Sequence, residues 1–202
     1  ITGGWHDAGD YRKYVSFTTE PLWDLLHSYE WYPCGYGDAN GIPESGNGVP
    51  DILDEVKWEL DWLLKMQISG GPNDGALYSG AFIIGSSGGT GDPSTENTPY
   101  YYANFSSAAT GVGAFAFALG ARILGSQPAY SAYAATLQAA SLRAWAWLQA
   151  HPSNITYNQT GFQNADANRS ASEDASLRLL ASAELFALTG NASYQTYFDA
   201  NY

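Results

Sequence analysis

Six stretches of this 202-residue chain repeat apolar residues at intervals of three and four, and the segments between them are dense in Gly, Asn, Ser and Pro. That period lays one apolar stripe along a helix, and such a stripe is stable only against other stripes. The strongest begins at Pro50. Ile52, Leu53, Val56, Leu60, Leu63 and Leu64 share one face, Asp51, Asp54, Lys57 and Asp61 take the opposite one, and Gly70-Gly71-Pro72 ends the segment. An earlier helix starts at Thr18-Thr19-Glu20-Pro21, with Thr as cap and Pro in the first turn, and continues through Leu22, Leu25, Leu26 and Tyr29. Helices resume near Ser107, where Ala109, Val112, Ala116, Leu119 and Ile123 form a face rich in small residues, and again over 129–150 and 175–188. His151-Pro152 stops the first of these last two, and Gly190 suits the end of the second. Tyr194, Tyr197 and Phe198 open a sixth helix. No segment reads clearly as strand, although short strands fit 76–78 and 81–84. The segment 68–102 is long and irregular, and loops of that length in compact domains are usually functional or disordered. The expected fold class is all-α: helices in successive pairs within one domain, with long loops gathered at one end.

Composition excludes several partners. The net charge of −12 argues against nucleic acid and against an anionic membrane surface, since both require clusters of Lys and Arg. No stretch reads as long enough to span a membrane. A neutral polysaccharide fits the charge, and 7 Trp and 15 Tyr supply flat rings with polar tips that suit both a core and a sugar-stacking surface. Cys34 is the single cysteine, so no intrachain disulfide can form. Asn104, Asn154, Asn158, Asn168 and Asn191 each begin an Asn-x-Ser/Thr acceptor site, which points to a secreted, extracellular protein if the source is eukaryotic. The chain has no signal peptide and opens inside a loop-like motif, so a fragment or processed form is expected.

Chemistry concentrates in Gly3-Gly4-Trp5-His6-Asp7-Ala8-Gly9-Asp10. Two carboxylates stand three residues apart, preceded by Trp5 and His6 and followed by Lys13. Glycosidic bond cleavage needs two carboxyl groups, one of which can activate water. The same D-x-G-D is also a turn sequence, because Asp accepts backbone hydrogen bonds and Gly tolerates positive φ. Both readings stand on these eight residues alone. Trp23, Trp58, Trp62, Trp145 and Trp147 fall on helices, where core packing is the commoner use. Asp54 and Glu55 read as solvated or helix-tying, His27 and His151 as structural or surface residues, and Tyr100, Tyr101 and Tyr102 as a loop-to-helix junction.

Gly3–Val15 resembles the N-terminal signature of glycoside hydrolase family nine. Further blocks continue the resemblance in order: Ile42–Asn47, Pro50–Glu55, Glu59–Gln67, Asp74–Tyr78, Ser106–Thr110 and Ala183–Gly190. Together they run over nearly the whole chain. The resemblance implies an (α/α)6 barrel of twelve helices in six pairs, of which six helices would be about half. It implies an inverting β-1,4-glucanase on cellulose or related glucans, with Asp10 as general base and Asp7 holding the same water. Asp7 and Asp10 are too near each other to serve as acid and base, because inversion separates those groups by roughly 6.5–9.5 Å. The family's acid is a Glu late in the domain, and no position here matches it. The acid and the C-terminal half of the domain are therefore expected outside this chain, and the chain alone is expected to be inactive. Trp5, His6, Lys13 and Tyr78 are the expected substrate contacts. After Tyr78 the family often has His-Lys, whereas Ser79-Gly80 stand here, so the subsite beside them is expected to diverge. No cofactor is required by the chemistry, although a structural Ca²⁺ near Asp166, Glu173 and Asp174 fits the family. Other readings are an exo-acting cellobiohydrolase, a glucosaminidase, or a non-catalytic glycan-binding relative. A half toroid has two open ends, so apolar patches are expected near the first and last helices.

Overall fold

A computed structural model describes residues 1–84, 92–95, 97–162 and 167–202. Among these residues stand six α-helices: α1 (Thr19–Trp31), α2 (Asp51–Met66), α3 (Ser107–Leu124), α4 (Ser131–Ala150), α5 (Ala171–Thr189) and α6 (Ala192–Asn201). Five short strands accompany them: β1 (Lys13–Tyr14), β2 (Leu77–Tyr78), β3 (Gly80–Phe82), β4 (Tyr101–Tyr102) and β5 (Phe105–Ser106). The strands were only partly foreseen. β2 and β3 match the short runs expected near 76–78 and 81–84. β1 and β4 arise because the irregular segments return beside β3, giving an antiparallel sheet in the order β1-β3-β4, with Lys13 opposite Ala81. β2 pairs with β5, Leu77 opposite Ser106.

α3 is the axis of the core. Every residue in it except Arg122 is buried, and it packs on α4, α5, α1 and α2. The small residues therefore serve more than one face. A Cβ on Gly111 would meet the Leu177 Cβ of α5 at 3.0 Å, one on Gly113 would meet Leu77 of β2 at 2.4 Å, and one on Gly120 would meet Leu60 of α2 at 2.8 Å. By length and composition α3 could cross a membrane, contrary to the expectation that no segment could. Here its apolar surface is enclosed by other helices instead.

Three boundaries differ from the sequence pattern. α2 ends at Met66 rather than at the glycines, because Gln67 adopts extended backbone and bridges to Leu77. α4 begins after a 3-10 turn at Pro128–Tyr130. α5 begins four residues earlier than the apolar pattern shows. Ser170 and Glu173 form a capping box, and the sequence motif Ser-x-x-Glu carried that signal. At α1 the expected cap is absent: Thr18 Oγ1 donates to the Val15 carbonyl at 2.9 Å and makes no bond into the helix.

Of the two uses open to Asp54, solvated or helix-tying, the structure shows the second: Asp54 is buried, as is Asp51. The loop 38–49 folds over the start of α2, and Asp51 Oδ2 accepts from Asn40 N and Ser45 Oγ. Asp54 accepts from Asn47 Nδ2 and from the Tyr130 hydroxyl, so it ties this loop and the approach to α4 to the helix. Among the helical tryptophans, Trp62, Trp145 and Trp147 are buried and Trp23 is partly so, but Trp58 is 52% exposed. Exposed rings occur in Trp31 and Tyr32 at the end of α1 and in Phe186 and Tyr202 at α5 and α6, and also in between, in Tyr101 and Tyr102. His27 and His151 each bond a backbone carbonyl through Nδ1, in keeping with structural use.

Candidate active site

The loop from Trp5 to Arg12 is anchored at both ends. Downstream, β1 pairs with β3 immediately after it. Within it, Asp7 N–H donates to the Arg12 carbonyl at 3.2 Å, and Asp10 Oδ1 accepts the Arg12 N–H at 3.1 Å. The turn reading of D-x-G-D is thus realised: the Asp10 carboxylate closes a turn, and the turn holds two carboxylates on one short loop. Asp7 is exposed and Asp10 partly buried.

A cavity of about 400 Å³ opens beside this loop, with Trp5, His6, Asp7, Tyr14, Phe17 and Asp24 in its walls. Asp10, Lys13 and Tyr78 are not among those walls. The His6 ring lies 5.8 Å from the Tyr11 ring. Burial lowers the His6 pKa, the Lys13 charge lowers it further, and Asp10 opposes both.

Lys13 stands beneath the loop rather than facing the cavity. It is buried, its Nζ donates to the Gly3 carbonyl at 2.6 Å, and Nζ lies 5.8 Å from the centre of the Tyr100 ring. Desolvation lowers its pKa, opposed by Glu59. Tyr78 is partly buried on β2, with its ring stacked on Tyr102 at 4.6 Å. Tyr101 and Tyr102 are exposed on β4, the edge of the sheet that β1 begins.

Sequence reasoning missed Glu59. Its Oε2 accepts the Trp5 backbone N–H at 2.6 Å, and Glu55 Oε1 accepts the Trp5 indole N–H at 2.6 Å. Glu59 is fully buried, and desolvation lifts its pKa to about 8. Gly4, at φ 76°, runs so close to α2 that a Cβ there would lie 2.5 Å from the Trp62 ring. The signal was present in the sequence. Glu55, Glu59 and Trp62 recur at i, i+4 and i+7, a second stripe beside the apolar one.

Among the described residues, two of the expected calcium ligands, Glu173 and Asp174, are engaged within α5 and its cap. Asp166 lies outside the described residues. Glu173 closes the capping box with Ser170, and Asp174 Oδ2 pairs with Arg178 Nε at 2.8 Å. Asp174 Oδ1 is buried without a hydrogen-bond partner, which suits a cation, but no group of three potential ligands occurs among the described residues. Glu173 and Asp174 alone do not fit an oxygen-rich calcium shell. Of the acceptor asparagines, Asn104, Asn158 and Asn191 are exposed, whereas Asn154 and Asn168 are partly buried and bond the backbone.

The sequence matches the profile of Glycosyl hydrolase family 9 over residues 1–202. The chain belongs to that family. This family 9 chain is 33% identical to Endoglucanase D of Acetivibrio thermocellus over 199 residues, covering 98% of this chain and 31% of that protein. A metagenome-derived family 9 endoglucanase superposes with a TM-score of 0.81 at 36% identity, covering 98% of this chain and 35% of the other. AaCel9A, solved with a cellobiose-like isofagomine, superposes at 0.82 with 25% identity over 98% of this chain and 37% of the other. The family 9 chain thus spans about a third of the relatives it matches. Its six helices are part of an (α/α)6 barrel, as expected from the sequence.

Proposed function

We propose that the protein hydrolyses β-1,4-glucosidic bonds in cellulose or a related β-glucan, with inversion. The observation that carries this reading is one anchored loop, in a family 9 chain, that presents Asp7 to an aromatic-walled cavity and carries Asp10 three residues on. Asp10 acts as general base on water, and Asp7 holds the same water from the cavity side. Two carboxylates on so short a loop cannot also supply the acid, since inversion needs roughly 6.5–9.5 Å between the two functions. Glu59 has the raised pKa of an acid but is wholly enclosed, and Glu55 holds the Trp5 indole. The resemblance implies an acid on a Glu late in the domain, and this chain spans about a third of its relatives, so we assign the acid to a Glu outside these 202 residues. Trp5 and His6 offer a ring and an imidazole to sugar at the cavity, and the Tyr78–Tyr102 stack offers a second platform. This chemistry draws on carboxylates and water, so it calls for no cofactor. An insoluble glucan does not cross a cell envelope, so we infer a secreted enzyme.

The test is Asp10→Asn in the full-length protein, assayed on a soluble substituted cellulose. Loss of a general base is expected to lower kcat by about 100-fold or more, with glucan binding retained. An unchanged rate would remove Asp10 from the mechanism. The first product observed by NMR should be the α-anomer; a β-anomer would exclude single displacement.

A further inference from the structure

Residues 2–5 lie in a bed on α2. Glu59 and Glu55, one turn apart, take hold of opposite ends of Trp5, its main-chain N–H and its indole N–H. Lys65, further along the same stripe, donates to the Thr2 carbonyl at 2.9 Å, and Lys13 reaches back from β1 to the Gly3 carbonyl. A buried carboxyl is costly to leave unpaired; Glu59 Oε2 takes the Trp5 N–H, while its Oε1 has no hydrogen-bond partner among the described residues. Glu59 touches no solvent, so it cannot touch substrate. Its bond to Trp5 falls two residues before Asp7, at the upstream end of the loop whose downstream end is fixed by β1.

We propose that Glu59 and Glu55 are positioning residues that grip Trp5 by main chain and side chain and so set the placement of Asp7 and Asp10. The proposal rests on the reading of that loop as the water-activating half of a hydrolytic site. Displacing a catalytic group by about 1 Å can cost on the order of 100-fold in rate without loss of binding. The two carboxylates therefore act on kcat rather than on substrate affinity.

The experiment compares four variants in the full-length protein. Glu59→Met keeps the volume and removes the acceptor; kcat is expected to fall about 10- to 100-fold with KM within about twofold. Glu59→Gln retains an acceptor oxygen and is expected to recover most of kcat. Wild-type kcat in Glu59→Met would overturn the proposal, and so would a loss in Glu59→Gln as large as that in Glu59→Met. If Glu59→Met does not fold by circular dichroism, Glu55→Ala carries the test, because it removes the indole acceptor and leaves the Trp5 ring at the cavity in place: a lower kcat with KM within about twofold is expected, and wild-type kcat would overturn the proposal. Asp10→Asn, run alongside, separates the two ideas. Its survival would sink the reading of the site, whereas an inactive Asp10→Asn beside an unaffected Glu59→Met would sink only the grip on Trp5.

Discussion

Glu59 is where burial and charge oppose each other most directly. Loss of water disfavours the carboxylate and Glu55 on α2 adds to that; the Trp5 N–H and Lys13 from β1 favour it without outweighing burial, so the proton stays up to about pH 8 against an ordinary 4.5. The folded chain then holds a proton that the unfolded chain has released. Its contribution is complete below about 4.5 and disappears as pH rises to about 8, so stability falls across that window. Denaturant titrations at intervals across it should show a steeper decline in the wild type than in Glu59→Gln. Parallel declines would mean that the carboxyl titrates as in water. The turn that carries Asp7 and Asp10 was legible because it is local: a spacing of three, with Gly and Ala between. The bond that Glu59 makes was not, because its partner is 54 positions away. What Asp54 ties was hidden for the same reason. Its surroundings are built by loop 38–49 and Tyr130, which no period in α2 reveals.

The elements were legible in proportion to their periodicity. α2 showed its apolar face outright, and the pattern of α3 disclosed small residues without showing that neighbours would surround them. Gly113 tests that enclosure. A methyl there would meet both Leu77 δ carbons at 2.4 and 2.6 Å, and Leu77 is itself fully buried. Ala gains about 1 kcal/mol over Gly in helix propensity, while overpacking a filled core costs about 1–3 kcal/mol. Gly113→Ala is therefore expected to destabilise by roughly 1 kcal/mol, read as a lower denaturation midpoint at unchanged m. A stabilised variant would show that β2 yields to the helix. β1, β4 and β5 escaped detection because two residues are too few to set a period of two, and β1 and β4 depend on partners far along the chain.

For the molecule as a whole, protection should follow enclosure. α3 is surrounded, whereas α6 buries only Tyr194 and is held through that ring and Tyr197 against Trp145. Native-state hydrogen exchange is expected to open α6 first and α3 last, and an α6 as slow as α3 would contradict that order. The bed on α2 has a consequence in time as well. A ribosome making roughly 5–20 residues per second releases Trp5 some 3–11 s before Glu59. During that interval the segment bearing both aspartates has no helix to rest on, so the chemistry of this protein is assembled backwards, its earliest residues waiting for support that is synthesised after them.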